Sequence, residues 1–200
     1  PTPEPALVTY RAVWGNVDAG NASEADLKGL ATSTLSVLSK VFVAPGDKEV
    51  LNNAFNWAFY QLMEDPDKEL MLSKIKEFEK MKAEITDIED PAYVEAKKRL
   101  SDQAAPLLGL DAVDVRRVML PLELQTANME GFSAENKEAL PGVMSKYLIH
   151  NRSVLTDTAF LGFPFHYFYT AVFLLILFVF LCWLYCVRSD SLNKKFSIAD

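Results

Sequence analysis

The chain has 200 residues and a formal net charge of -7, enough for one ordinary folded domain with length to spare. Asp and Glu number 25 before residue 158 and 2 after residue 187, while Lys and Arg number 17 and 3. The long first part is therefore acidic and lacks the basic stripe that neutralises phosphates, which argues against nucleic acid as a partner.

The opening "PTPEP" is proline-rich, and residues 1–22 are expected to be an extended segment. Residues 23–157 are expected to form an all-helical domain outside the membrane. Ser23 is placed to cap a first helix, with Asp26 three residues on as a capping-box variant. Leu27, Leu30, Leu35, Leu38 and Phe42 mark one face of it. "APGD" at 44–47 ends that helix and caps the next, whose apolar side carries Val50, Leu51, Ala54, Phe55, Ala58, Phe59 and Leu62. "EDPD" at 64–67 breaks it. Met71, Ile75, Phe78, Met81 and Ile85 then recur at spacings of four, three, three and four, an amphipathic helix. Pro91 suits the first turn of a fourth helix running to about Ala105, and the third and fourth helices are expected to pair as a hairpin. Farther on, a helix is expected from Asp111 to Leu120, stopped near Pro121. Ser133 is placed to cap another, interrupted at Pro141–Gly142, with a short helix from Met144 to Ile149. The fold class is all-α, because no useful run alternates as a strand does.

From Thr158 to Val187 there is no Asp, Glu, Lys or Arg. Residues 158–166 read as an interfacial segment. Residues 167–187, as a helix of about 1.5 Å rise per residue, are long enough to cross a bilayer, and read as a single transmembrane helix. Arg188, Lys194 and Lys195 follow it closely and only Arg152 lies comparably near before it. That bias expects residues 188–200 to be a short tail on the cytoplasmic, matrix or stromal side and the acidic domain to lie on the other. Phe165, His166, Tyr167, Tyr169, Trp183, Tyr185 and Arg188 are expected at the two membrane interfaces, where amphipathic rings and cations meet headgroups.

Little in the sequence carries chemistry. His166 is the one candidate for a haem or pigment, but a transmembrane bis-His site wants a second His in the span, and the belt role is the expectation. Cys182 and Cys186 lie on one helix face and read as small packing residues. The acidic clusters "EDPD" and "DIED" lack the glycine and the closing Glu of a calcium loop. No phosphate-binding glycine loop, nucleophile elbow or zinc motif occurs, so no enzyme, cofactor, metal or small-molecule substrate is expected. Trp57 and Tyr60 fall partly off the stripe set by Phe55 and Phe59, as a partner-contact patch would or as a helix buried on two sides would. Ala171 and Cys182, small among many Phe, are the places where another helix comes close. The expected partners are membrane lipid and a larger integral-membrane subunit.

Gly162, Phe163 and Pro164, then Phe178, Val179, Phe180 and Tyr185, then Arg188, Asp190, Leu192, Lys195 and Phe196 form a further pattern. With them the last forty residues resemble the small subunit of bacterial two-component sodium:solute symporters. In that family a Gly-Phe-Pro turn opens a second transmembrane helix, and a tail with an Arg, a spaced Leu and a basic-aromatic end follows. The resemblance implies a non-catalytic accessory subunit that packs against the large transporter subunit. The residues alone leave two other readings: an accessory subunit of a respiratory or photosynthetic complex, and a membrane-anchored enzyme or receptor.

Overall fold

The computed structural model describes residues 2–150, 159–160, 163–164, 167 and 169–196. The chain divides into two compact units, residues 1–150 and 151–200. The first unit therefore ends short of the expected boundary at 157.

The first unit is built from seven helices. Helix α1 runs Pro5–Asp18, where an extended segment was expected. Only residues 2–4 keep that character. Pro5 sits at the first helical turn, where its missing N–H costs nothing, and the residues after it are ordinary helix formers. Leu7, Tyr10 and Val17 bury one face. Gly20, at φ 74°, then turns the chain.

Helix α2 spans Glu24–Leu38 behind the expected cap. The Asp26 backbone N–H donates to Ser23 Oγ at 3.2 Å and the Ser23 N–H donates to Asp26 Oδ2 at 2.9 Å. Gly29 lets α1 come close: a Cβ there would meet Val13 Cγ1 at 2.9 Å. The helix stops at Leu38, so Phe42 is not on its buried face but 74% exposed. Helix α3, Pro45–Leu62, is the centre of the unit, packed against α2 and the later helices. Asp47 lies in its first turn but does not cap it. Helices α4, Asp65–Glu84, and α5, Pro91–Ala104, pair as expected. Phe78 stacks on Tyr93 at 5.4 Å between ring centres. Asp90 caps α5 by accepting from the N–H groups of Ala92 and Tyr93.

Two prolines fail to break the helices that hold them. Helix α6 runs Arg116–Glu123, later than the expected Asp111–Leu120, and passes through Pro121. A proline at 121 cannot donate to the carbonyl of Arg117. That carbonyl instead accepts Ser101 Oγ from α5 at 2.8 Å, so nothing is left unpaired by the missing N–H. Helix α7, Ala134–Leu148, runs unbroken through Pro141–Gly142 and absorbs the short helix expected from Met144. Leu140, Val143, Met144 and Leu148 form its buried stripe. Ser133 caps it as expected, accepting from the Asn136 N–H. Thr2–Pro3 pairs antiparallel with Ile149–His150, which brings the start and the end of the unit side by side.

In the second unit, Ala159–Phe160 pairs with Phe163–Pro164. A π-helical turn, Tyr169–Phe173, leads into helix α8, Leu174–Phe196. The stretch Thr170–Phe196 is long and apolar enough to cross a membrane. Where residues 188–200 were expected to be a tail, regular helix continues to Phe196, as a run free of Gly and Pro allows. The fold class is all-α, as expected.

Candidate functional site

Helix α8 is the candidate functional element. With the π turn before it, its apolar part, residues 170–187, is about 27 Å long at helical rise, close to the hydrocarbon thickness of a bilayer. Ala171 in the π turn and Phe178, Cys182, Trp183, Tyr185 and Arg188 on α8 all stand exposed. The rings of Phe180 and Trp183 lie 5.8 Å apart. Trp183, Tyr185 and Arg188 fall within two turns of one another on α8. Both thiols, Cys182 and Cys186, are free and exposed. Ahead of α8, Tyr167 is exposed, and the Tyr169 backbone belongs to the π turn. Phe165 and His166 lie outside the described residues. Among the described residues no group of three His, Cys, Asp or Glu is placed to hold a metal ion.

In the first unit the aromatic surplus of "FNWAFY" finds partners inside the unit. Phe55 and Phe59 are buried. Trp57 is half-buried with its ring 5.3 Å from that of Phe132, which also meets Trp14 at 6.4 Å. Lys68 Nζ stands 5.0 Å over the Tyr60 ring. Trp57 and Tyr60, one turn apart on α3, are both half-buried.

Sequence reasoning missed two polar constellations. The first is a clamp of asparagines on α3, hidden because they interrupt a stripe read for its apolar residues. Asn56 is 0% exposed. Its Nδ2 donates to the carbonyls of Asn52 and Glu123 at 2.8 and 3.0 Å, and its Oδ1 accepts from the Gln125 N–H at 2.8 Å. Asn53 Nδ2 donates to the Gly131 carbonyl at 2.7 Å, and its Oδ1 accepts from the Ser133 N–H and from Asn136 Nδ2. Together they hold the α6–α7 connection to the core. Glu123 is buried beside them and pairs through Oε1 with Lys48 at 2.9 Å. The second lies where α3 begins and α7 ends. Asp47 Oδ2 accepts from Lys146 Nζ at 2.6 Å and from the Tyr147 hydroxyl at 2.8 Å, and that hydroxyl accepts from the Ala44 N–H at 2.9 Å. Lys146, and then Tyr147, hold the Asp47 carboxyl below the usual carboxylate range. The same bond holds the Lys146 ammonium above its ordinary value. Each constellation ties parts of the fold that are distant in sequence.

Residues 143–199 match the family model of a domain of unknown function, DUF4212. The match begins near the end of α7 and takes in all of α8, and it leaves most of the first unit outside. No curated protein and no solved structure matches the chain.

Proposed function

We propose that this protein is a non-catalytic, membrane-anchored accessory subunit, with α8 seated in the bilayer against a larger integral-membrane partner of the sodium:solute symporter kind. The carrying observation is the span itself. Thr170–Phe196 is long and apolar enough to cross a membrane, and none of its apolar window is buried among the described residues. A helix apolar on all sides is covered by lipid or by other helices. The family match over 143–199 encloses every residue on which the likeness to symporter small subunits rests, which supports the reading. The charge bias of Arg188, Lys194 and Lys195 orients the acidic unit outward and the end of α8 inward.

The test is purification from the native membrane in mild detergent with mass spectrometry of what stays bound. A multi-span sodium:solute transporter subunit is the expected companion, and its sodium-dependent uptake is expected to fall when this protein is deleted. Recovery with respiratory or photosynthetic subunits, or as a lone monomer, overturns the symporter reading. For orientation, a cysteine at Leu192→Cys, with Cys182 and Cys186 replaced by Ser, should react with an impermeant maleimide only after the membrane is opened.

A further inference from the structure

The α2–α3 turn presents two adjacent apolar side chains to solvent: Val41, fully exposed, and Phe42, 74% exposed. The turn is held firmly on both sides. Before it, Lys40 Nζ bonds Glu4 Oε1 at 2.5 Å. After it, the Ala44 N–H donates to the Tyr147 hydroxyl. Both ties lead to one place. Glu4 donates its N–H to the Leu148 carbonyl at 2.9 Å, and Thr2–Pro3 pairs with Ile149–His150. Val41 and Phe42 therefore project at the end of the first unit from which the chain departs for α8, twenty residues before Thr170.

We propose that Val41 and Phe42 are a second membrane contact: the turn dips into the interfacial layer of the bilayer that holds α8. This rests on the reading of α8 as a membrane span. A surface Phe alone is unremarkable, but Val41 and Phe42 form an apolar tip, tied on both sides, at the end of the unit from which the chain leaves, and such a tip suits an interfacial lipid layer. The charges around it allow approach to headgroups. Glu4 is paired with Lys40, Asp47 with Lys146 and Glu123 with Lys48, so these three acids are matched by cations. The interior of the unit gains nothing from Phe42, which helix periodicity would have placed in the core. An interfacial role accounts for keeping a large aromatic there.

The test places a nitroxide label on the full chain, with Cys182 and Cys186 replaced by Ser, in phosphatidylcholine–phosphatidylglycerol vesicles. Single cysteines are made at Phe42→Cys, at Leu70→Cys and at Phe178→Cys. Leu70 is exposed and lines a hollow with Glu24, Leu27 and Leu62, at the opposite end of the α2–α3 pair. Power-saturation spectroscopy compares collision with oxygen, which concentrates in lipid, and with a nickel chelate, which stays in water. The expected result is an oxygen-to-nickel ratio at 42 severalfold above that at 70 and approaching that at 178. A water-like ratio at 42 with a lipid-like ratio at 178 overturns this proposal and leaves the span intact. Low collision with both reagents at 42 means a protein surface covers the turn, and overturns it as well. Water-like ratios at both 42 and 178 overturn the span reading itself.

Discussion

Replacing Asn56 by Leu is predicted to destabilise the first unit about as much as replacing it by Ala, although Leu adds apolar volume to a fully buried site. The reason is what the side chain leaves behind. Its amide satisfies the Glu123 carbonyl and the Gln125 N–H, two backbone groups outside any helix ladder that flank the buried Leu124. Without the amide each group is left unpaired at a cost of about 1–3 kcal/mol, with Gln125, only half-buried, at the low end. The Asn52 carbonyl adds little, because it already lies within the α3 ladder. The sum is roughly 2–5 kcal/mol for either substitution. For a unit of this size that lowers the unfolding midpoint by about 4–20 °C. The assay is thermal unfolding of the full chain in detergent, followed by the fluorescence of Trp14 and Trp57 with Trp183 changed to Phe. Both reporters pack on Phe132, in the segment the clamp holds. An Asn56→Leu protein within about 0.5 kcal/mol of the parent would refute the reasoning, because apolar packing alone would then account for the site.

Three further predictions follow from the same geometry. The Tyr10 hydroxyl is buried with no hydrogen-bond partner, and burial pushes its pKa up. Tyr10→Phe should therefore be neutral or stabilising by about 1 kcal/mol, and a clear fall in the urea midpoint would count against an orphaned hydroxyl. Gly29→Ala gains up to about 1 kcal/mol of helix propensity but drives a methyl onto the stiff Val13 side chain, so a net loss of about 1–2 kcal/mol is expected. A rise in melting temperature would show that α1 and α2 separate freely. The Asp47 carboxyl has a lowered folded-state pKa, so its contribution is present above the unfolded value of about 4 and is lost as pH falls through the folded one. Asp47→Asn should be less stable than the parent at pH 7, with the gap closing in urea titrations below about pH 4; a gap independent of pH would remove Asp47 from the account.

What could be read from the residues is the part governed by local chemistry. Ser23 with Asp26, and Asp90 before Pro91, announce helix starts that need no distant partner. The apolar spacing of α4 is legible because one side of it faces solvent. The misread places depend on residues far away in sequence. Pro121 continues a helix because Ser101, twenty residues earlier, supplies the hydrogen bond that proline cannot. Asn53 and Asn56 look like polar interruptions until the segment 123–136 is folded against them. Residues 5–18 read as extended because the prolines around Glu4 were extrapolated beyond their reach, though Pro5 favours the helix it begins. The long apolar stretch at 170–187 was legible from composition alone. How far its helix continues past Arg188 was not, since charge marks where the membrane ends and not where the helix does.

The pairing of Thr2–Pro3 with Ile149–His150 gives the first unit a single doorway. Polypeptide joined ahead of residue 2 and polypeptide following residue 150 pass through the same side of the fold, a strand's width apart, about 5 Å. A module of this shape can be spliced into a short loop of another protein without prising the loop's ends apart, which is the geometry that lets whole domains be acquired as insertions.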